Sequence, residues 1–358
     1  MGVGCARSGD VSSLSSSGDE LQLSNHRLRV MISSRGASLG SVAYIDSQGR
    51  NRPCVIGHDL HLDRYLPEEI AYAGFTIGRF ANRIRDRLVI DGSRVSLSGQ
   101  QAGVALHGGR VGWSHAKWVT GNLTSTSAEF HHRSPHGDQG FPGEVDATVA
   151  YRIRDAHEEG ERAGILQIAF SATTTAPTVI SLTNHAYWNL GPHGETVDSH
   201  RLRVGGPTAL ELDEAQLPTG RFLDVETLGC SAEQLVPIGS RILDHAVLLG
   251  GTPAFVDGEL NLAARLRHED LQLTVHSTAP CVQIYTGEAL GMVSRPRGGL
   301  AIEPQEFPDA PNLAGAPSVV VMPGERYEHL IEYRIEELRS GGGTETAEFG
   351  PGRASAAI

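Results

Sequence analysis

Four stretches set polar, ring-bearing or charged side chains inside otherwise apolar, strand-like runs. In the first, Gly74 to Ile84 (GFTIGRFANRI), Asn82 and Arg83 can fork hydrogen bonds to hydroxyl groups: the guanidinium donates, and the amide both donates and accepts. In the second, Leu106-His107-Gly108-Gly109, two glycines let backbone and ligand approach a histidine closely. The third, Thr183 to Leu190 (TNHAYWNL), flanks His185 with aromatic and amide groups. Rings pack on the C–H faces of a carbohydrate, and an imidazole gives or takes protons near neutral pH. The fourth, Leu300 to Ala310 (LAIEPQEFPDA), ends an apolar strand at Ile302, sets Glu303 directly after it and stiffens the segment with Pro304 and Pro308. A rigidly placed carboxylate is what a general base requires. Taken singly, each stretch also fits an ordinary structural role: a solvated strand edge, a surface-turn histidine, a histidine tied to backbone, or a loop glutamate.

The elements that must position these groups read as strands. Leu28, Val30 and Ile32 alternate with polar neighbours; so do Ala147–Ile153, Leu166–Ala172, Leu271–Val275 and Tyr327–Ile335. Leu88-Val89-Ile90 and Val95–Leu97 flank an Asp91-Gly92 pair, which predicts a hairpin. Helical periodicity sustained over a dozen residues is absent, and 43 glycines spread along the chain punctuate many turns. The pattern predicts an all-β fold, a large antiparallel β-sandwich or barrel. A chain of 358 residues buries roughly three quarters of its unfolded surface and needs no staple. Residues 1–20 and 340–358 are Ser/Gly-rich or otherwise aperiodic and are expected to be disordered extensions of one domain spanning 21–339.

Composition removes several classes. A formal net charge of −12 disfavours nucleic acid as a partner. Of the 30 basic residues only Lys117 is a lysine, and it lies in no Walker A triplet. Schiff-base chemistry would rest on that one amine. Cys5, Cys54, Cys230 and Cys281 form no Cys-x-x-Cys pair, which fits idle thiols in a reducing cytoplasm. No apolar run is long enough to span a membrane, and the first residues lack the apolar core of a secretory signal. Among the 16 histidines, neither His58/His61 nor His131/His132 has the spacing to further ligands that a zinc site needs, so neither metal nor cofactor is expected.

Taken in order, the motifs resemble the aldose 1-epimerase (galactose mutarotase) family. They are GRFANRI (78–84), LHGG (106–109), HGDQGFPG (136–143), TNHAYWNL (183–190), LPTG (217–220), Asp244-His245 within ILDHAVLL, QIYTG (283–287), IEPQEFPDAPN (302–312) and PGERY (323–327). The resemblance runs from about Asn25 to Glu336. It implies a large antiparallel β-sandwich with a free aldose sugar, glucose or galactose, bound in an open cleft. Glu303 would be the general base, His185 the general acid and His107 a second histidine at the ring. Arg83, Asp244, Asn82 and Gln283 would hold hydroxyls. Glu303 and His185 would each be charged, each helping to maintain the other. A cytoplasmic monomer or homodimer would serve.

Trp188, the HGDQGFPG turn and the segment RVGWSHAKW depart from the family's commoner residues and leave the shape of the sugar subsite open. A hexose-6-phosphate 1-epimerase stays in play, because strand alternation would set Arg79, Arg83, Arg85 and Arg87 on one face. On the free-sugar reading Arg83 alone reaches the substrate, with Arg85 and Arg87 in solvent or paired with acids such as Asp86 and Asp91. A non-catalytic sugar-binding protein on the same fold is a further alternative. A two-carboxylate glycosidase lacks an evident second carboxylate.

Overall fold

The computed structural model describes residues 19–56, 66–99, 103–156, 162–250, 260–292 and 294–338. The terminal extensions expected from composition lie outside them, apart from Asp19 and Glu20. Glu20 opens the first strand, Glu20–Ser24.

Two large antiparallel sheets dominate. The nine-stranded sheet runs Val119–Leu123, Ser127–Ser134, Val145–Asp155, Ala163–Thr174, Tyr327–Glu337, Leu271–Ser277, Asn261–His268, Arg201–Val204, Val236–Pro237. The six-stranded sheet runs Tyr187–Trp188, Leu300–Gln305, Cys281–Tyr285, Asp244–Leu248, Thr208–Leu212, Pro218–Asp224. An N-terminal sheet of four strands covers Glu20–Pro53 in sequence order.

The expected alternation decides which face of each strand is buried. Val145–Asp155 buries Val145, Ala147, Val149, Tyr151 and Ile153, and Tyr327–Glu337 buries its odd-numbered residues through Ile335. These side chains, apart from that of His329, meet Val247, Val282, Ile284, Leu300 and Ile302 from the six-stranded sheet in one apolar cluster. Trp188 stacks on Tyr333 across the two sheets at 4.7 Å between ring centroids. The β-sandwich is therefore joined by side chains of both inner faces.

The expected hairpin pairs Arg87–Ile90 with Ser93–Ser96. Asp91 and Gly92 both have positive φ (46° and 73°), as a two-residue turn matched to strand twist requires. Leu88 and Ile90 point into a second apolar cluster with Phe80, Ile84, Cys281 and Phe307, while Val89 is exposed. That cluster includes Ala246 and Leu248 and so covers part of the outer face of the six-stranded sheet. Among the described residues, no helix is long and apolar enough to cross a membrane.

Candidate active site

The outer face of the six-stranded sheet carries the acid groups. Cross-strand register sets Glu303 opposite Gln283, and Gln283 opposite Ala246. The period of two along a strand then brings Asp244 to the same face as Ala246. Glu303 lies within the strand Leu300–Gln305, two residues before its end, whereas the sequence reading put it just past the end. Pairing with Tyr187–Trp188 stops at Ala301, so Pro304, which has no N–H, takes nothing from that side of the ladder.

His185 sits between the short strands Thr183–Asn184 and Tyr187–Trp188. Its backbone is held at both ends: its N–H donates to the Phe75 carbonyl at 2.9 Å, and its carbonyl accepts the Gly74 N–H at 3.0 Å. The Asn184 amide donates to the Gly74 carbonyl at 2.8 Å. These bonds fix the His185 backbone beside the carboxylate strand. His185 Nε2 lies 3.6 Å from Glu303 Oε1, with the two residues 5% and 2% exposed. The second carboxyl oxygen, Glu303 Oε2, is buried without a hydrogen-bond partner.

Two neighbouring residues in left-handed conformation complete the floor. Asn82 (φ 62°) and His107 (φ 51°) exchange backbone contacts, and the Asn82 N–H donates to His107 Nδ1 at 3.2 Å. Burial, then His185 and Arg83, hold the His107 pKa well below the ordinary imidazole value. A neutral ring that accepts at Nδ1 carries its proton on Nε2, ready to donate. Asn82 Oδ1 accepts the Arg83 N–H at 2.7 Å, which orients the side-chain amide so that its N–H groups can donate to a substrate. Gln283 Nε2 donates to Asp244 Oδ1 at 2.5 Å, and Arg83 approaches the other oxygen of Asp244 at 3.7 Å.

Burial disfavours charge on both members of the central pair. It raises the Glu303 pKa well above the carboxylate range, with Asp244 adding to the effect and Arg83 opposing it. It lowers His185 to about 4. The mutual support of two full charges anticipated from the sequence is therefore outweighed by desolvation, which favours the uncharged forms. Asp244 is also raised, by burial against the pull of Arg83.

The sequence model of the aldose 1-epimerase family matches residues 19–334. This chain belongs to that family. It is an enzyme of the isomerase class. Galactose mutarotase of Bos taurus is 31% identical over 336 residues, covering 88% of this chain and 94% of the relative. Aldose 1-epimerase of Escherichia coli K12 is 33% identical over 324 residues, covering 84% and 90%. A crystal structure of an aldose epimerase homologue from C. elegans superposes with a TM-score of 0.78 at 27% identity, covering 89% of this chain and 99% of that one.

All seven expected site residues, Asn82, Arg83, His107, His185, Asp244, Gln283 and Glu303, are linked through these contacts and the ring packing of His107 on His185, centroids 5.3 Å apart. Two residues that the sequence reading passed over also belong here. Tyr72 packs on His107 (4.7 Å) and His185 (6.1 Å), and Tyr187 on His185 (5.0 Å). Tyr187 was visible as the residue two beyond His185 on an alternating strand. Tyr72 gave no such signal.

Other expectations are corrected. Trp188 faces the inter-sheet core, so its departure from the commoner residue alters packing and not the sugar subsite. Trp113 of the RVGWSHAKW segment is buried in the same core. The four arginines do not share a face. Arg79 is 1% exposed, and its guanidinium donates to the Ser134 hydroxyl and to the carbonyls of Ser134, Pro135 and Pro142. This ties down the HGDQGFPG turn. Arg85 is paired with an acid, as the free-sugar reading expected, and that acid is Asp309. His131 and His132 point to opposite sides of their strand, one to Thr148 and the other to Trp113 and Trp118. His58 and His61 lie outside the described residues.

Proposed function

We propose that this enzyme interconverts the α and β anomers of free aldohexoses, glucose and galactose among them, with Glu303 as general base and His185 as general acid. The observation that carries the reading is the buried 3.6 Å approach of His185 Nε2 to Glu303 Oε1 beside the Arg83–Asp244–Gln283 chain. Mutarotation needs one group for the hydroxyl on C1 and one for the ring oxygen. Both oxygens are bonded to the same carbon, so an acid and a base a few ångströms apart reach both.

The steps balance without a further reactant. Glu303 takes the proton of the C1 hydroxyl, C1 becomes a carbonyl, and the C1–ring-oxygen bond breaks with its electron pair on the ring oxygen. That oxygen takes the proton of His185. Rotation about C1–C2 presents the opposite carbonyl face, and each proton then returns by the reverse path. The directions of the pKa shifts suit these tasks. A carboxylate whose pKa is raised is a stronger base, and an imidazolium whose pKa is lowered is a stronger acid. The pair needs a single proton between its members, so the resting uncharged form converts to the working one by moving that proton to His185.

His107 Nε2–H, Arg83, Asp244, Gln283 and the Asn82 amide are assigned to the sugar oxygens. A cytoplasmic setting fits the free thiols buried among the described residues, Cys54, Cys230 and Cys281, which a reducing compartment preserves; the enzyme is taken to be a monomer or homodimer. The test is polarimetry of freshly dissolved α-D-glucose and α-D-galactose. Rotation should reach equilibrium faster with the protein than with the E303Q variant or buffer, and equal rates would end the proposal.

A further inference from the structure

We infer that Tyr72 and Tyr187 form a device that positions the general acid: Tyr187 clamps a left-handed turn whose Tyr72 ring fixes the tilt of the His185 imidazole. This rests on the reading of His185 as the acid. A catalytic imidazole ordinarily takes its orientation from a hydrogen bond at the nitrogen remote from the reaction. In His185 that nitrogen, Nδ1, is buried and finds no partner on another residue. Its backbone is fixed at both ends, yet those bonds leave the side-chain torsions free. The ring must be held by the groups that pack on it.

Three rings do so. Tyr72 lies nearly parallel to His185 (27° between planes), His107 meets it edge-on (75°), and Tyr187 closes a third side. Tyr72 packs on both histidines, with centroids 4.7 Å from His107 and 6.1 Å from His185, so it braces the His185 ring directly and through its edge-on neighbour.

The backbone that carries Tyr72 is costly. Ala71 (φ 49°) and Tyr72 (φ 57°) are consecutive left-handed residues, and neither is a glycine. Side chains with a Cβ are strained in this region, so the turn persists only where surrounding contacts hold it. One of those contacts comes from the catalytic strand itself: the Tyr187 hydroxyl donates to the Ala71 carbonyl at 3.1 Å. The Phe75 N–H to the Tyr72 carbonyl (3.0 Å) and the Gly74 N–H to the His185 carbonyl complete the loop. Tyr187 is only two residues from His185, and its strand pairs with Ala301 in the strand that bears Glu303. The clamp thus ties the acid, the base and the Tyr72 turn into one unit.

The experiment combines kinetics with NMR. Y187F removes only the clamping hydroxyl, Y72L removes the ring, and Y72F keeps it. We expect Y72L to lower kcat by about 10- to 100-fold with KM changed less than about threefold, since small misplacements of a reacting group carry such factors. Y187F should fall in the same direction by a smaller factor, and Y72F should recover most of the loss. The His185 pKa, read from its ring carbon shifts, should rise from about 4 towards 6.5 in Y72L as water gains access. In an H185N background Y72L should add little further loss, because it acts through that ring.

Wild-type kcat and an unmoved His185 signal in Y72L would overturn the inference, as would a loss in Y72F equal to that in Y72L. If H185N itself keeps wild-type kcat, the assignment of the acid fails. If H185N loses activity while Y72L does not, the positioning device alone fails.

Discussion

Asp309 is bonded to both ends of the short strand Arg83–Arg85, and its carboxylate engages Arg85 twice. It accepts the Arg85 N–H at 2.9 Å and pairs with the guanidinium, while its own N–H donates to the Arg83 carbonyl at 2.9 Å. The charge of Arg85 is thereby neutralised. Arg79 is occupied by buried carbonyls and a hydroxyl, and Arg83 faces Asp244. A phosphate dianion asks for several converging cations, and these contacts do not leave three together.

Free hexoses are therefore expected to be the better substrates. At fixed ionic strength kcat/KM for glucose and galactose should exceed that for glucose 6-phosphate by at least about tenfold, the scale of one lost charge-assisted contact. A preference for the phosphate of that size would show that Arg87, or a rearranged Arg85, supplies a dianion site. The acid/base pair would then still serve the same reaction.

Asp309 should matter to stability before it matters to chemistry. D309A orphans the Arg85 N–H and the Asn312 amide that now donates to it at 2.6 Å, and it places an alanine at φ 54°. Loss of these bonds and the left-handed strain together amount to roughly 2–4 kcal/mol. The urea midpoint should fall accordingly. A variant whose midpoint matches the wild type would mean that Arg85 and Asn312 find other acceptors.

Glu303 should be the least replaceable side chain. E303Q keeps size and shape but cannot take a proton at neutral pH, so kcat should drop roughly 10³-fold with the circular dichroism spectrum unchanged. Retention of more than about a tenth of the activity would move the base elsewhere, to Asp244 in the first instance.

The fold was legible where a pattern repeats. Alternation in Val145–Asp155 and Tyr327–Glu337 named the buried faces, and Asp91-Gly92 named its turn, because both signals are local. Glu303 and His185 stood out as polar residues inside apolar strands, and the family resemblance gave Asp244 and Gln283, which no local signal marks. The features that escaped depend on partners distant in sequence. The bonds from Arg79 reach residues 55 to 63 positions away, and alternation reports a face but not its depth. The Ala71–Tyr72 turn lacks the glycine that normally announces positive φ. The Glu303 and His185 charges were misjudged for a related reason: spacing shows that a pair can meet, while burial, which decides its charge, comes only from the packed sheets.

The pH dependence of kcat/KM tests the charge state of that pair. Activity requires one proton shared between Glu303 and His185, so two macroscopic ionisations should bound the profile, and they belong to the pair. On the acid side the limit is a second proton, which His185 accepts only near pH 4 because burial lowers its pKa. On the alkaline side the limit is loss of the single proton, delayed because burial and Asp244 raise Glu303 well above the usual carboxylate range. The signs come from the two groups: a depressed imidazole keeps activity down to lower pH, and an elevated carboxyl keeps it up to higher pH. The acid limb should therefore be centred near 4, provided Asp244 and the fold itself survive there, which a parallel circular dichroism titration checks. H185N should abolish that limb along with most of the activity. An acid limb centred near 6.5 in a protein still folded at pH 5 would show an imidazole open to water. The desolvated pair would then not be the form that meets the sugar.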